Sequence, residues 1–114
     1  MGKKKKPPPP SQPAGSPQIH EATLRANGAV TKGAVITQAQ AEARRKAGQD
    51  VVVCGKDLAA NRHLAGQIEQ AANGTAKRCP PHPNAGAHAL PHYQPDPRPP
   101  SGHTFYETPN RKAF

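Results

Sequence analysis

Proline limits what this chain can fold into. The 114 residues contain 15 prolines, and all but Pro109 fall in two stretches, residues 7–17 and 80–100. Proline lacks an amide hydrogen and fixes φ, and it pushes the residue before it away from helix. Neither stretch can therefore hold a long helix or a central strand. Residues 1–20, with Lys3–Lys6 followed by Pro7–Pro10, read as extended, solvated linker. Proline rather than an apolar run follows the lysines, so this is not the pattern of a secretory signal peptide. In residues 21–36, Ala29-Val30 and Ala34-Val35-Ile36 read either as short strands or as loosely packed chain. The expected organisation is a disordered basic Pro-rich tail over residues 1–35 and one folded domain over residues 36–114.

The middle of the chain carries the regular signals. Thr37 can cap a helix over residues 37–48, rich in alanine, with Arg44, Arg45 and Lys46 in its last turn, where cations suit the helix dipole. Asp50-Val51-Val52-Val53-Cys54 is short, β-branched and bounded by Gly48 and Gly55, the pattern of a strand covered on both faces. Asp57 can cap a second helix over residues 58–73, whose stripe is Leu58, Leu64, Ala65, Ile68, Ala71 and Ala72 and which Asn73-Gly74 closes. Only 33% of residues are hydrophobic and 4% aromatic, so the core must be thin and partly built of alanine. No run of 18 apolar residues exists, so no segment reads as a membrane span. Two cysteines do not make a disulfide framework, and Cys54 reads as a small core residue.

The net charge is +9 at pH 7 and remains +5 without Lys3–Lys6. Such a chain attracts polyanions, nucleic acid above all. Four of the six histidines, His82, His88, His92 and His103, fall within the proline-rich C-terminal part, beside Lys77, Arg78, Tyr93, Arg98, Thr104, Tyr106 and Glu107. Linkers rarely concentrate His and Tyr in this way, so the stretch reads as a functional loop. Residues 103–107 return to strand-like chemistry. Cleaving RNA needs a base for the 2′-hydroxyl proton and an acid for the leaving oxygen, and histidine can do either near neutrality. Positive donors must then stabilise the phosphorane. The expected catalytic set is His92, His103, Arg98, Thr104 and Tyr106, with Lys77, Arg78, Tyr93 and Glu107 binding substrate and no cofactor needed.

A zinc reading stands beside it. Cys79 and His82, then His88 and His92, supply four ligand types at close spacing. That alternative leads to a metal-dependent DNase using Zn or Mg. A third reading is a non-catalytic basic module that binds nucleic acid or protein. The deaminase signature, the His-Glu-x-x-His zinc motif, the P-loop and the dinucleotide glycine motif are all missing from the sequence.

Residues 50–55, 59–62, 68–74, 90–94 and 102–107 together resemble the C-terminal toxin domains of bacterial polymorphic toxins, which end Rhs-repeat or PAAR-like carrier proteins delivered by contact-dependent or type VI secretion. The resemblance spans about residues 36–112. It implies a secreted antibacterial effector acting in the cytoplasm of a target cell. The expected ligands are RNA, or DNA in the alternative, and a cognate acidic immunity protein, with the free domain a monomer away from membranes. It also implies an α+β fold in which N-terminal helices pack on a small antiparallel sheet, in the manner of barnase, EndoU, colicin or RelE-like ribonucleases.

Overall fold

Val51, Val52 and Val53 have no exposed surface at all, as a strand covered on both faces requires. In a computed structural model that describes residues 17–81 and 86–114, they form the middle of a mixed sheet. The described elements are β1 (Gln18–Leu24), β2 (Val30–Ile36), α1 (Gln38–Lys46), β3 (Val51–Cys54), α2 (Leu58–Asn73), β4 (Lys77–Cys79), a 3-10 turn (Gly86–His88), β5 (His92–Gln94) and β6 (Thr104–Tyr106). The six strands lie in the order β2-β1-β3-β6-β5-β4. β3 and β6 are parallel, and every other neighbouring pair is antiparallel.

The helices begin and end where their caps dictate. Thr37 Oγ1 accepts the Gln40 amide (3.1 Å) and Gln40 Oε1 accepts the Thr37 amide (2.9 Å), a reciprocal capping box. Asp57 Oδ1 accepts the Ala59 amide (2.9 Å), and Gly74 closes α2 in the left-handed region at φ 79°.

Two expectations about the fold need correction. The sheet is mixed rather than antiparallel, and a β-hairpin precedes the helices. That hairpin, β1–β2, lies in residues expected to be linker, so the fold includes residues 18–36. Its signal is faint because β1 offers only Ile19 and Leu24 as large apolar residues. A register shift between His20 and Ala22 also breaks its alternation. The expected tail over residues 1–16 lies outside the described residues. Three-residue strands also form in the C-terminal part that the proline count marks as irregular, β4 just before Pro80 and β5 between Pro91 and Pro95.

The sheet has two unlike faces. On one, α1 and α2 pack through Ala41, Ala65 and Ile68 onto Ile19, Val51, Val53 and Tyr106. On the other, Ala22, Val30, Val52 and Phe105 are covered by Leu90 and Ala113, which belong to irregular segments. Arg111 holds those segments together, donating to the carbonyls of Gly86 (2.6 Å) and Ala89 (3.2 Å). None of the helices in the described residues is long and apolar enough to cross a membrane.

The helix stripe holds two polar residues that the sequence pattern does not announce. Asn61 and Glu69 are fully buried along with Ala65 and Ile68, whereas Ala71 is exposed. Glu69 is buried because Arg45 is buried against it. Arg45 Nε donates to Glu69 Oε1 (2.8 Å) and Nη2 to Oε2 (3.3 Å), and neither side chain is exposed. The remaining polar capacity is also used. Arg45 Nη1 donates to the carbonyls of Gln49 and Ser101, both at 3.0 Å, while Thr104 Oγ1 (2.9 Å) and Asn73 Nδ2 (2.5 Å) donate to Glu69. Removing one member of such a pair strands the other charge in a dry interior, which costs about 3–5 kcal/mol. Arg45→Ala should therefore lower the unfolding free energy by about that amount in a urea titration. Lys46→Ala, on the exposed side of the same helix turn, should change it by less than about 0.5 kcal/mol.

Candidate functional site

Strand alternation sorts the C-terminal residues between the two faces. In β6, Thr104 and Tyr106 point toward the helices, and Phe105 points to the other side. His103 and Glu107 flank the strand on the Phe105 side. In β5, His92 stands opposite Phe105 and Tyr93 opposite Thr104, so His92 joins the same side. Three rings gather there. His92 meets His103 at a centroid distance of 4.7 Å and an interplanar angle of 81°. Phe105 lies 5.3 Å from His92 and 5.0 Å from His103.

The parallel β3–β6 pairing brings in one more group. Val51 pairs with Thr104, which sets Asp50 beside His103. Asp50 Oδ1 accepts the His103 backbone amide (2.7 Å) and lies 3.0 Å from His103 Nδ1. An ionised carboxylate only accepts, so Nδ1 carries the hydrogen and Nε2 is left for outward chemistry. The side chains of His103 and Asp50 are 16% and 20% exposed, whereas His92 is only 4% exposed. Of the two imidazoles, His103 is therefore the one that meets solvent. His92 Nδ1 lies 3.4 Å from the Leu90 carbonyl behind it. At the rim, Arg98 Nη2 donates to the carbonyl of Gly102 (2.6 Å), one residue before His103, and its side chain is exposed.

Of the expected catalytic set, then, His92 and His103 come together, Arg98 is tied to the backbone one residue before His103, and Thr104 and Tyr106 lie on the other face. Thr104 is buried against Glu69. Tyr106 packs on Tyr93 at 5.7 Å on the helical side, and burial, with Tyr93 beside it, pushes its hydroxyl above the ordinary tyrosine value. Among the expected substrate-binding residues, Lys77 and Arg78 are exposed on the edge strand β4. Register with β5 puts Lys77 on the His92 side and Arg78 on the Tyr93 side. Glu107 is buried, and its carboxylate accepts the Ala113 amide (3.1 Å). It braces the C-terminal segment rather than facing a substrate.

The alternative metal set does not assemble as a whole. Cys79 and His92 are register partners, but His88 turns to the Lys112 carbonyl (2.9 Å) and the Phe114 ring. His82 lies outside the described residues. Among the described residues no three His, Cys, Asp or Glu side chains gather to hold a metal ion. Sequence reasoning missed Asp50 as a site residue. Its signal, an acid at the mouth of an apolar strand, was visible, but its partner lies 53 positions away.

Compared with protein-family models, with curated proteins and with solved structures, the chain matches none.

Both cysteines are free thiols. Burial pushes the Cys54 thiol from 9.0 up to about 12, and the neighbouring Glu107 carboxylate adds to the effect. The thiolate is the reactive form, so Cys54 stays inert until the pH approaches its folded value. An aromatic disulfide reagent at pH 8 should label Cys79 well before Cys54 in the native protein. In denaturant, both thiols should react together.

Proposed function

We propose that the domain is a metal-independent ribonuclease of the secreted-toxin type that its C-terminal segments resemble. The observation that supports this reading most is the Asp50–His103–His92 cluster on the helix-free face of a strongly basic chain. Cleavage by transphosphorylation needs two proton transfers. His103 Nε2 takes the proton of the 2′-hydroxyl as the 2′-oxygen attacks phosphorus. Asp50, held to Nδ1, stabilises the imidazolium that forms and fixes the ring. The bond from phosphorus to the 5′-oxygen breaks, and that oxygen takes a proton from the second imidazole, His92. Arg98, at the rim, offsets the charge that builds on the phosphorane oxygens. The products are a 2′,3′-cyclic phosphate and a free 5′-hydroxyl.

Delivery into a target cell and neutralisation by an immunity protein belong to the same proposal. An inhibitor with an acidic binding face suits a +9 chain, because opposite charge speeds association.

The test is incubation of wild type, His103→Ala and Asp50→Asn with total RNA and with plasmid DNA, each with EDTA or with added Mg²⁺ or Zn²⁺. The expected result is RNA loss that persists in EDTA and slows by about 10²–10⁴-fold in His103→Ala. Asp50→Asn keeps the size of the side chain but favours the wrong tautomer of His103, so it should also fall by orders of magnitude. DNA loss abolished by EDTA would overturn the reading in favour of a metal nuclease. Intact RNA and DNA under every condition would overturn it in favour of a binding module.

A further inference from the structure

A second feature of the helix-free face plays no part in this chemistry. The chain returns along β2, where Phe114 N–H donates to the Val30 carbonyl (3.1 Å) and Lys32 N–H donates to the Phe114 carbonyl (2.9 Å). The backbone of Phe114 is thus fixed, yet the residue remains 53% exposed. Its ring rests on His88 at a centroid distance of 4.4 Å and an angle of 42°. His88 is itself held by the Lys112 carbonyl. The ring borders a hollow of about 270 Å³ lined with Arg25, Ala26 and Asn27. That is close to the roughly 300 Å³ at which small-molecule sites begin, room for one flat group rather than a large ligand. Arg25 is exposed and makes no side-chain hydrogen bond or ion pair with the described residues. Asn27 Oδ1 takes the Ala29 amide (3.1 Å), which leaves its N–H₂ group for a ligand edge.

A stiffly backed, exposed ring beside an exposed arginine suits a ligand that is flat, aromatic and anionic. An apolar protein partner is poorly matched, because Phe114 is the one large exposed apolar residue lining the hollow. We infer that Phe114, backed by His88, is a stacking platform for one base of single-stranded RNA, with Arg25 on the adjoining phosphate. The inference rests on the reading of the chain as RNA-directed, but not on the cleavage step.

The test uses the full chain with His103→Ala, so that bound RNA stays whole, and a labelled single-stranded RNA of about ten nucleotides. Adding Phe114→Ala should weaken binding about tenfold, within the range of one lost base stack. Arg25→Gln should weaken it less and flatten its salt dependence. The chain has no tryptophan, so Phe114→Trp supplies a single emitter at the platform. Its emission should be quenched by the RNA and unchanged by inorganic phosphate or an acidic polypeptide. Undiminished RNA affinity in Phe114→Ala, or unchanged Trp emission on saturation with RNA, would overturn the platform. Quenching by the acidic polypeptide alone would overturn it in favour of a protein partner. A chain that binds through Phe114 but cleaves nothing as wild type would leave the platform standing and remove only the ribonuclease reading.

Discussion

The buried Arg45–Glu69 pair adds a polar tie to parts of the chain that the apolar core already brings together. It links α1 to α2 and, through Ser101 and Thr104, links both to the start of β6. Taking two charges out of water costs several kcal/mol per ion, so a buried pair is tolerable only when its lone pairs and hydrogens are used. Here four further groups use them. The geometry is tight enough that Gly102 cannot be replaced without a clash. An added Cβ would fall 2.7 Å from the Gly48 carbonyl oxygen and also against the Arg45 guanidinium, and its φ of 94° already favours glycine.

The pair also reaches the site without touching its chemistry. Ser101 and Thr104 are both fixed to it, and His103 lies between them. The backbone on either side of that histidine is therefore held from the helical face, while its ring and Asp50 lie on the opposite face. One face supplies rigidity and the other carries exposed reactive groups, as a positioned site requires. Among the described residues, the helix-free face is closed by irregular segments through Leu90 and Ala113. That cover is thin enough to leave His103 and Asp50 partly open to solvent.

Local signals in the sequence were strong wherever caps and β-branched runs set the structure. Thr37, Asp57, Gly74 and Val51–Val53 marked α1, α2 and β3 to within two residues at each end. The hairpin β1–β2 was faint because its apolar residues are few and its alternation is broken. The parallel β3–β6 pairing was invisible because it joins residues some fifty positions apart. At the site, His92 and His103 could be singled out by chemistry, and their contact follows from the His92–Phe105 register. Asp50 and the division of Thr104 from His103 depend on which face each residue occupies. Alternation gives that only once the strand's neighbours are known. Arg45 and Glu69 were hidden for a related reason: a charge on a helix reads as solvated unless its partner on another helix is in view.

The distribution of charge follows from the same engagements. Glu69 is spent on Arg45, Asp50 on His103, Asp57 on the α2 cap and Glu107 on the Ala113 amide. Glu21 lies 3.8 Å from Arg44, and Glu42 accepts from Gln38. All the carboxylates except that of Asp96 are thus occupied within the fold. Several of the cations, by contrast, are exposed and have no side-chain hydrogen bond or ion pair among the described residues, among them Arg25, Lys32, Lys77 and Arg78. Two of the negative charges, Glu69 and Glu107, are buried, whereas those of Asp57 and Asp96 stand at the surface. A polyanion approaching the helix-free face meets Lys32 of β2 and Lys77 of β4, and there the half-buried Asp50 is already held by His103.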